Sequence, residues 1–349
     1  MLVGLHGMSR GIFVLAGLLA VTLVLSYLTW TGKDTLARQE GITLVAGSPD
    51  DLGGLVWRAD ESEIELVALE DEHGRFLRVR VTEQVPGQEG FVPREGSEIP
   101  EPEEVFEERR VTFTGGSRAH TLTEALVPLI ADRRLAGLSA ERLETLGFGE
   151  DVRGSLNMTV RGTEQAFELG GQTHGGAARY LRLPGEQDVY LLNAGPLRPL
   201  ERSGRGLMKR ELHDFSRSDI ESVVVASDGR RAEIVQREGE DGAARPFFAD
   251  AADPDRRVEQ YGNWIGKLLA LRVREYVQED ELPEGLEQVA SMEFKVAGSK
   301  LPVRMELFLL AGDDGEDRWY ARSDHTRVLV SLPRQPAESV AADLDAVLP

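Results

Sequence analysis

The 349 residues carry 60 acidic against 40 basic side chains, a formal net charge of −20. That balance argues against nucleic acid as a partner, because phosphate binding needs a basic face. Cysteine is absent, which excludes disulfides, thiolate catalysis, iron–sulfur clusters and cysteine zinc sites, while a 41% hydrophobic share beside 29% charged residues is that of a folded body of about two domains.

Between Arg10 and Lys33 lie 22 residues without a charge. A helix of about 20 residues rises about 30 Å, the thickness of a bilayer's hydrocarbon core. Ile12, Phe13, Leu18, Leu23 and Leu28 give the stretch its apolar character, and Trp30 sits at the far end, where interfacial aromatics are expected. The competing reading is a cleaved signal peptide, but the apolar run is long and no A-x-A-like site follows it. The expectation is a cytoplasmic head and anchor over 1–33 that meets the lipid bilayer through residues 11–30. The body would then lie on the periplasmic or other extracytoplasmic side of a bacterial cytoplasmic membrane, in a single-pass arrangement.

A tether and first strand follow over 34–60, with Ile42, Leu44, Val45 and Leu55 to Trp57 as strand residues. Two similar units are then expected, over 61–201 and 220–349. Each opens with a β-hairpin. Ile64 to Leu69 turns at Glu72-His73-Gly74 into Arg75 to Val81, and Ile220 to Val225 turns at Asp228-Gly229 into Arg230 to Gln236. Each continues with a helix, Thr121 to Leu138 and Arg256 to Val277, whose apolar residues recur at spacings of three and four. Thr121 to Glu124 and Asp255 to Glu259 are read as their caps, and Pro128 predicts a kink or a late start in the first. Each closes with strands: Leu156 to Val160, Gln165 to Gly171, Ala178 to Leu183 and Val189 to Asn193 in the first unit, Ser291 to Val296, Pro302 to Leu310, Arg318 to Ser323 and Arg327 to Leu332 in the second. Tyr180 and Tyr320 are 140 residues apart, Val160 and Val296 136, Leu126 and Trp264 138. The hairpins, with Ile64 and Ile220 156 apart, imply an insertion in the first unit. Residues 85–108 hold eight glutamates and four prolines and are read as an exposed acidic loop. The fold class predicted is α+β, two units each with an antiparallel sheet and a packed helix, after an amino-terminal transmembrane helix.

Residues 202–219 read as a basic connector, helical from Leu207 to Phe215. Arg202, Arg205, Lys209 and Arg210 make it a candidate contact for lipid headgroups or a partner. Tyr180, Tyr190, Trp319 and Tyr320 are candidate groove aromatics, with core packing as the plainer reading. No catalytic, cofactor or metal site is read. The six histidines show no H-x-H or H-E-x-x-H spacing, and His73 and His174 fall in glycine-containing turns where a solvated ring is expected. Leu169 to Tyr180 is glycine-rich without a phosphate-loop ending. The acidic run at 313–317 is too short for an EF-hand loop. A triad of scattered residues stays open.

The span, the hairpin, the L-x-x-L helix, the VYLL segment Val189 to Leu192 and the connector Leu207 to Phe215 leading to Ile220, followed by a second copy, resemble the bacterial domain-of-unknown-function family numbered 4340 over about residues 55–345. Arg245-Pro246-Phe247-Phe248 stands where that family carries a W-x-L-x-x-P segment. The resemblance implies a membrane-tethered envelope protein, often encoded beside gliding-motility-type ABC transporter components, and transfers no catalytic residue. The expected function is that of a non-enzymatic accessory or scaffold protein of an envelope ABC-transporter or motility-related complex, with transporter membrane subunits as partners. The alternative is a module that holds a lipid, glycan or peptide between the two units, and an unrecognised hydrolase is the third reading.

Overall fold

The computed structural model describes residues 41–59, 62–86, 90–92, 101–103, 106–149, 152, 154–239, 246–312 and 315–348. The predicted membrane anchor and its residues Ile12, Phe13, Leu18, Leu23, Leu28 and Trp30 lie outside them. Among the described residues no helix is long and apolar enough to cross a membrane.

The first part of the chain runs β1 (Ile42–Val45), β2 (Leu52–Ala59), β3 (Ser62–Asp71), β4 (Gly74–Pro86), β5 (Gly90–Val92), β6 (Glu101–Glu103), β7 (Phe106–Thr114), α1 (Ser117–Leu126), β8 (Leu129–Ala131), β9 (Arg133–Leu135), α2 (Ala140–Thr145), β10 (Gly154–Val160), β11 (Thr163–Gln172), β12 (Ala178–Arg182), β13 (Val189–Asn193) and α3 (Arg198–Glu201). The second runs β14 (Ile220–Ser227), β15 (Arg230–Arg237), β16 (Phe247–Asp250), β17 (Asp253–Arg257), α4 (Glu259–Leu269), β18 (Glu275–Tyr276), β19 (Glu287–Val296), β20 (Val303–Leu310), β21 (Arg318–Ser323), β22 (Val330–Leu332), α5 (Arg334–Ala342) and α6 (Leu344–Val347). Two nine-stranded sheets result, ordered β7-β4-β3-β2-β10-β11-β12-β13-β9 and β17-β16-β15-β14-β19-β20-β21-β22-β18. Every neighbouring pair is antiparallel. The α+β class with antiparallel sheets is as expected.

The sheets match strand for strand, but not in the register the hairpins suggest. Leu52 faces Val160 across β2 and β10, as Ile220 faces Val296 across β14 and β19. Leu52 therefore corresponds to Ile220, 168 residues on, and Ile64 corresponds to Ala232 rather than to Ile220. The strand over 52–59 belongs to the first sheet. Local structure supports this offset. Ser48 caps the short 3-10 turn Pro49–Asp51 in a two-way box with Asp51, and Ser216 does the same with Asp219 for Arg217–Asp219. The predicted boxes at Thr121 and Asp255 do not form; α1 and α4 start after Gly116 and Val258.

Both predicted helices are too long. α1 ends at Leu126, because Pro128 has no N–H to continue the ladder. The apolar residues beyond it, Leu129 and Ala131, are buried on a strand instead. α4 ends at Leu269, and Tyr276 continues the apolar pattern from β18. α1 buries Ala119, Leu122 and Leu126 and α4 buries Tyr261, Trp264 and Leu268, so the helices correspond at an offset of 142, one turn away from the Leu126–Trp264 match. The connector is not helical from Leu207 to Phe215. Of that stretch only Leu207 is helical, as the last residue of the 3-10 turn Arg205–Leu207. Glu211 bridges to Arg272 as Thr43 pairs with Ile130, so the second half of the connector is the second unit's counterpart of β1.

Within the insertion, β4 extends to Pro86 and pairs with β7 from Phe106 onward. The flanks of the expected acidic loop are thus a strand pair, and β7 is an element the glutamate-rich composition hides.

A single hydrophobic cluster runs through both sheets, α1, α4 and the carboxy-terminal helices. Trp264 is fully buried there and donates its indole N–H to the Val340 carbonyl at 3.0 Å. Trp57 is equally buried but its Nε1 has no acceptor. Trp264→Ala is expected to lower unfolding free energy by about 3–5 kcal/mol, while Trp57→Phe, which deletes the unmet donor, loses clearly less. Urea unfolding of the two variants compares them.

Candidate functional site

The described polar groups converge where the two units meet. The tip of the β3–β4 hairpin lies against the turn that leads from β21 to β22. Asp71 receives the Arg327 guanidinium through both oxygens, at 2.6 and 3.1 Å. Arg327 has a left-handed backbone, φ 64°, and its guanidinium lies 3.7 Å from the Phe76 ring centroid, a cation–π arrangement. His73, 18% exposed, brings Nε2 to 3.5 Å from Glu72 and 3.6 Å from Asp324, so it is a junction residue and not the solvated turn histidine expected from its neighbours.

Beside this ion pair the edge strand β7 reaches the second unit. Thr114 Oγ1 donates to the Thr326 carbonyl at 3.0 Å. Thr326 is fully buried, and its hydroxyl and N–H are bound within its own turn to Ser323. Gln278 caps Thr112 on both sides, its Oε1 accepting from the Thr112 N–H at 2.8 Å and its Nε2 donating to the Thr112 carbonyl at 3.4 Å. The Lys209 N–H donates to the Thr114 carbonyl at 2.8 Å. The Tyr276 hydroxyl donates to the Lys209 carbonyl at 3.1 Å, and its ring meets that of Phe113 with centroids 6.0 Å apart.

The electrostatics follow from this burial. The Arg327 guanidinium holds the Asp71 carboxyl below its ordinary range. His325, itself buried, does the same for Asp214, with Lys209 adding to the pull. His325 Nε2 stands 2.9 Å from Asp214 Oδ1, off the line of an aligned hydrogen bond. Burial pushes the Lys209 ammonium down and the Tyr276 phenol up.

A cavity of about 590 Å³ opens next to these groups, lined by Phe76, Arg78, Arg80 and Arg110 of the first unit and by Gln278, Glu279, Asp280 and Arg327 of the second. Arg80 pairs with Glu65 at 2.9 Å and Arg110 with Glu108 at 2.7 Å. Among the described residues Arg78 has no such carboxylate. A recess of about 1050 Å³ lies apart from the junction, between α2 and the Gly170-Gly171 stretch of β11. It is a surface hollow whose Arg179 is already engaged by Glu201 at 2.7 Å. No set of three His, Asp or Glu side chains is arranged to hold a metal ion among the described residues.

The residues singled out from the sequence fall elsewhere or serve other ends. Arg202 is exposed. Arg205 pairs with Glu83, Lys209 is half-buried at the junction, and Arg210 donates to the carbonyls of Val273 and Arg274 at 3.1 and 3.2 Å. The connector's cations therefore stitch the junction together instead of forming one free basic surface. Tyr190 and Trp319 are main-core residues. Tyr180 packs against a small second cluster of Leu146, Phe148 and Val189. Tyr320 is 8% exposed. The four aromatics share no groove, and none lines the junction cavity. Asp71, Asp214, Gln278, His325 and Arg327 had no local motif to mark them. The one available signal was their position on turns at the ends of paired strands.

Two outcomes are expected of junction variants. Arg327→Ala, which removes the Asp71 pair and the Phe76 contact together, should lower unfolding free energy by about 1–2 kcal/mol, read by urea unfolding at neutral pH. Asp214 has a folded-state pKa below its unfolded value of 3.8, so its stabilisation is complete above that value and fades as pH falls through the lower folded one. Asp214→Asn should accordingly flatten the acid limb of the stability curve below about pH 4 and leave its slope above pH 6 unchanged.

Comparison with known proteins gives one family. The family described as Domain of unknown function (DUF4340) matches residues 118–289, from α1 across the junction segment into β19. No curated protein and no solved structure matches. Over that stretch, which carries the helix, the strand set and the connector quoted above, the chain resembles the DUF4340 family.

Proposed function

We propose that the protein is a non-enzymatic accessory or scaffold protein, anchored in the cytoplasmic membrane through residues 11–30, with its body on the extracytoplasmic side. Its place is in an envelope complex built around an ABC transporter or a motility-related machine. The observation that carries this reading is the junction. Two copies of one unit are joined by main-chain bonds, a clasping glutamine, a buried threonine and a stacked ion pair, and they share one hydrophobic core. A joint of that kind holds two broad antiparallel sheets in fixed relation, which suits a protein whose work is to hold other proteins. The family resemblance supports the envelope setting by association.

The second reading, a module that captures a lipid, glycan or peptide between the units, is favoured by the cavity of about 590 Å³ at the junction and its arginine wall. Mild-detergent isolation of the full chain from its native membranes separates the two. Under the scaffold reading, transporter subunits co-purify with the full chain and are lost when residues 34–349 are expressed alone. Recovery of the full chain by itself, with a thermal shift on addition of envelope extract that Arg78→Ala abolishes, rejects the scaffold reading in favour of the second.

A further inference from the structure

β7 is the outer strand of the first sheet, and only part of its outer edge is covered. The Thr112 N–H and carbonyl both face outward, to Gln278, and the Thr114 carbonyl faces outward, to Lys209. Past the strand's end, Gly116 donates to the Leu207 carbonyl and Gly115 bridges antiparallel to Met208, so residues 207–209 already act as a short added strand. Because backbone direction alternates along a strand, the even-numbered residues Phe106, Glu108 and Arg110 point their N–H and carbonyl groups the same way. Among the described residues no backbone partner meets those groups, and the Glu108 and Arg110 side chains meet each other at 2.7 Å. Their side chains are exposed, and Phe106 is 46% exposed.

An open edge is usually blunted by charge. Here the charges run Phe106-Glu107-Glu108-Arg109-Arg110-Val111, acidic then basic, so a reversed copy can set acid against base. Antiparallel pairing of this edge with itself must place outward residues opposite outward residues. The register centred on Arg109 does so. It sets Glu108 opposite Arg110 of a second copy, and Arg110 opposite Glu108, in the two hydrogen-bonded positions. Arg109 meets its own counterpart on the two-fold axis, with the other copy's Glu107 diagonally beside it on the same face. In that register the same chain, turned around, offers two Glu108–Arg110 pairs, set against one Arg109–Arg109 contact that the two Glu107 carboxylates flank.

We propose that the β7 edge at Glu108–Arg110 is a docking surface for a second copy of this chain, joined about a two-fold axis through Arg109, with the pairing ending where Gln278 covers Thr112. The occupant is argued from charge complementarity and from the way the covered part of the edge already accepts an antiparallel strand.

The absence of cysteine makes the register testable in the full chain. Residues facing one another at a non-hydrogen-bonded antiparallel position have Cα atoms about 4.5 Å apart, within disulfide reach. Arg109→Cys should form a reductant-sensitive dimer on mild oxidation in native membranes. Glu107→Cys, two positions along the same face, should not, because the two copies of residue 107 are then separated by four residues, about 14 Å. Adding Arg110→Glu to the Arg109→Cys chain sets glutamate against glutamate and should cut cross-linking at least tenfold. Adding Glu108→Arg with it restores the pairing and should recover it. No dimer through residue 109, equal trapping through 107 and 109, or trapping that ignores the charge reversal each overturns the proposal. Circular dichroism of the variants confirms that the exposed substitutions leave the fold intact.

Discussion

Thr326 has no solvent exposure, and it lies in a turn whose carbonyls and N–H groups must all be met where the two units touch. Its own side chain meets part of that demand within the turn, and Thr114, at the end of the outermost strand of the first sheet, meets the carbonyl. From that one contact the surrounding geometry follows. β7 has to end beside the second unit. The connector has to pass under it, which draws Lys209 out of water. The hairpin tip that carries Asp71 comes within reach of Arg327. Burying polar turns is costly unless every group is paired, and the amount of pairing concentrated here indicates how firmly the two sheets are held.

The repeat was legible and its register was not. Strands with one buried face announce themselves by alternation, as in Phe76 to Val81, and the Asp228-Gly229 turn adopts the two positive φ values that a tight hairpin demands, 49° and 76°. An equivalent turn at Arg161-Gly162, φ 52° and 73°, carries no such dipeptide. Its arginine is held by Asp51 through both main chain and side chain, a partner 110 residues away. The helices were overextended for a related reason. Apolar residues at spacings of three and four continue past Leu126 and Leu269, but tertiary pairing takes Leu129 and Tyr276 onto strands. β7 was missed because exposed glutamates and arginines are poor markers of a strand whose pairing lies on one edge only. The junction residues lay beyond sequence reading altogether. Asp71 and Arg327 are 256 positions apart, and nothing in either neighbourhood names the other.

The correspondence of Ser48 with Ser216 and of β1 with residues around Glu211 changes the meaning of the segment between the units. It is less a linker than the opening of the second copy, already woven into the first. Arg205 and Arg210 serve that weave, one on Glu83 and one on two carbonyls, and the basic character of the connector is a consequence of assembly. What the body offers to partners is accordingly found on its sheet faces, its edges and the arginine-walled cavity.

The junction is also directional: the β7 edge of one unit receives the strand-joining turn of the next. Each kind of surface therefore exists twice, and one of each is left over. The leftover pair lacks the groups that make the junction. β17, which takes the place of β7 at the edge of the second sheet, carries Pro254 in its Asp253–Arg257 run, and Pro254 has no N–H to offer a clasping amide. Where Arg327 reaches out, the matching turn has Gln187, and the position matching Asp71 is Gly239. A third unit added at either end would find neither the ion pair nor the strand edge that joins the first two. The contact that joins the two units is thus built from side chains that their free ends do not repeat.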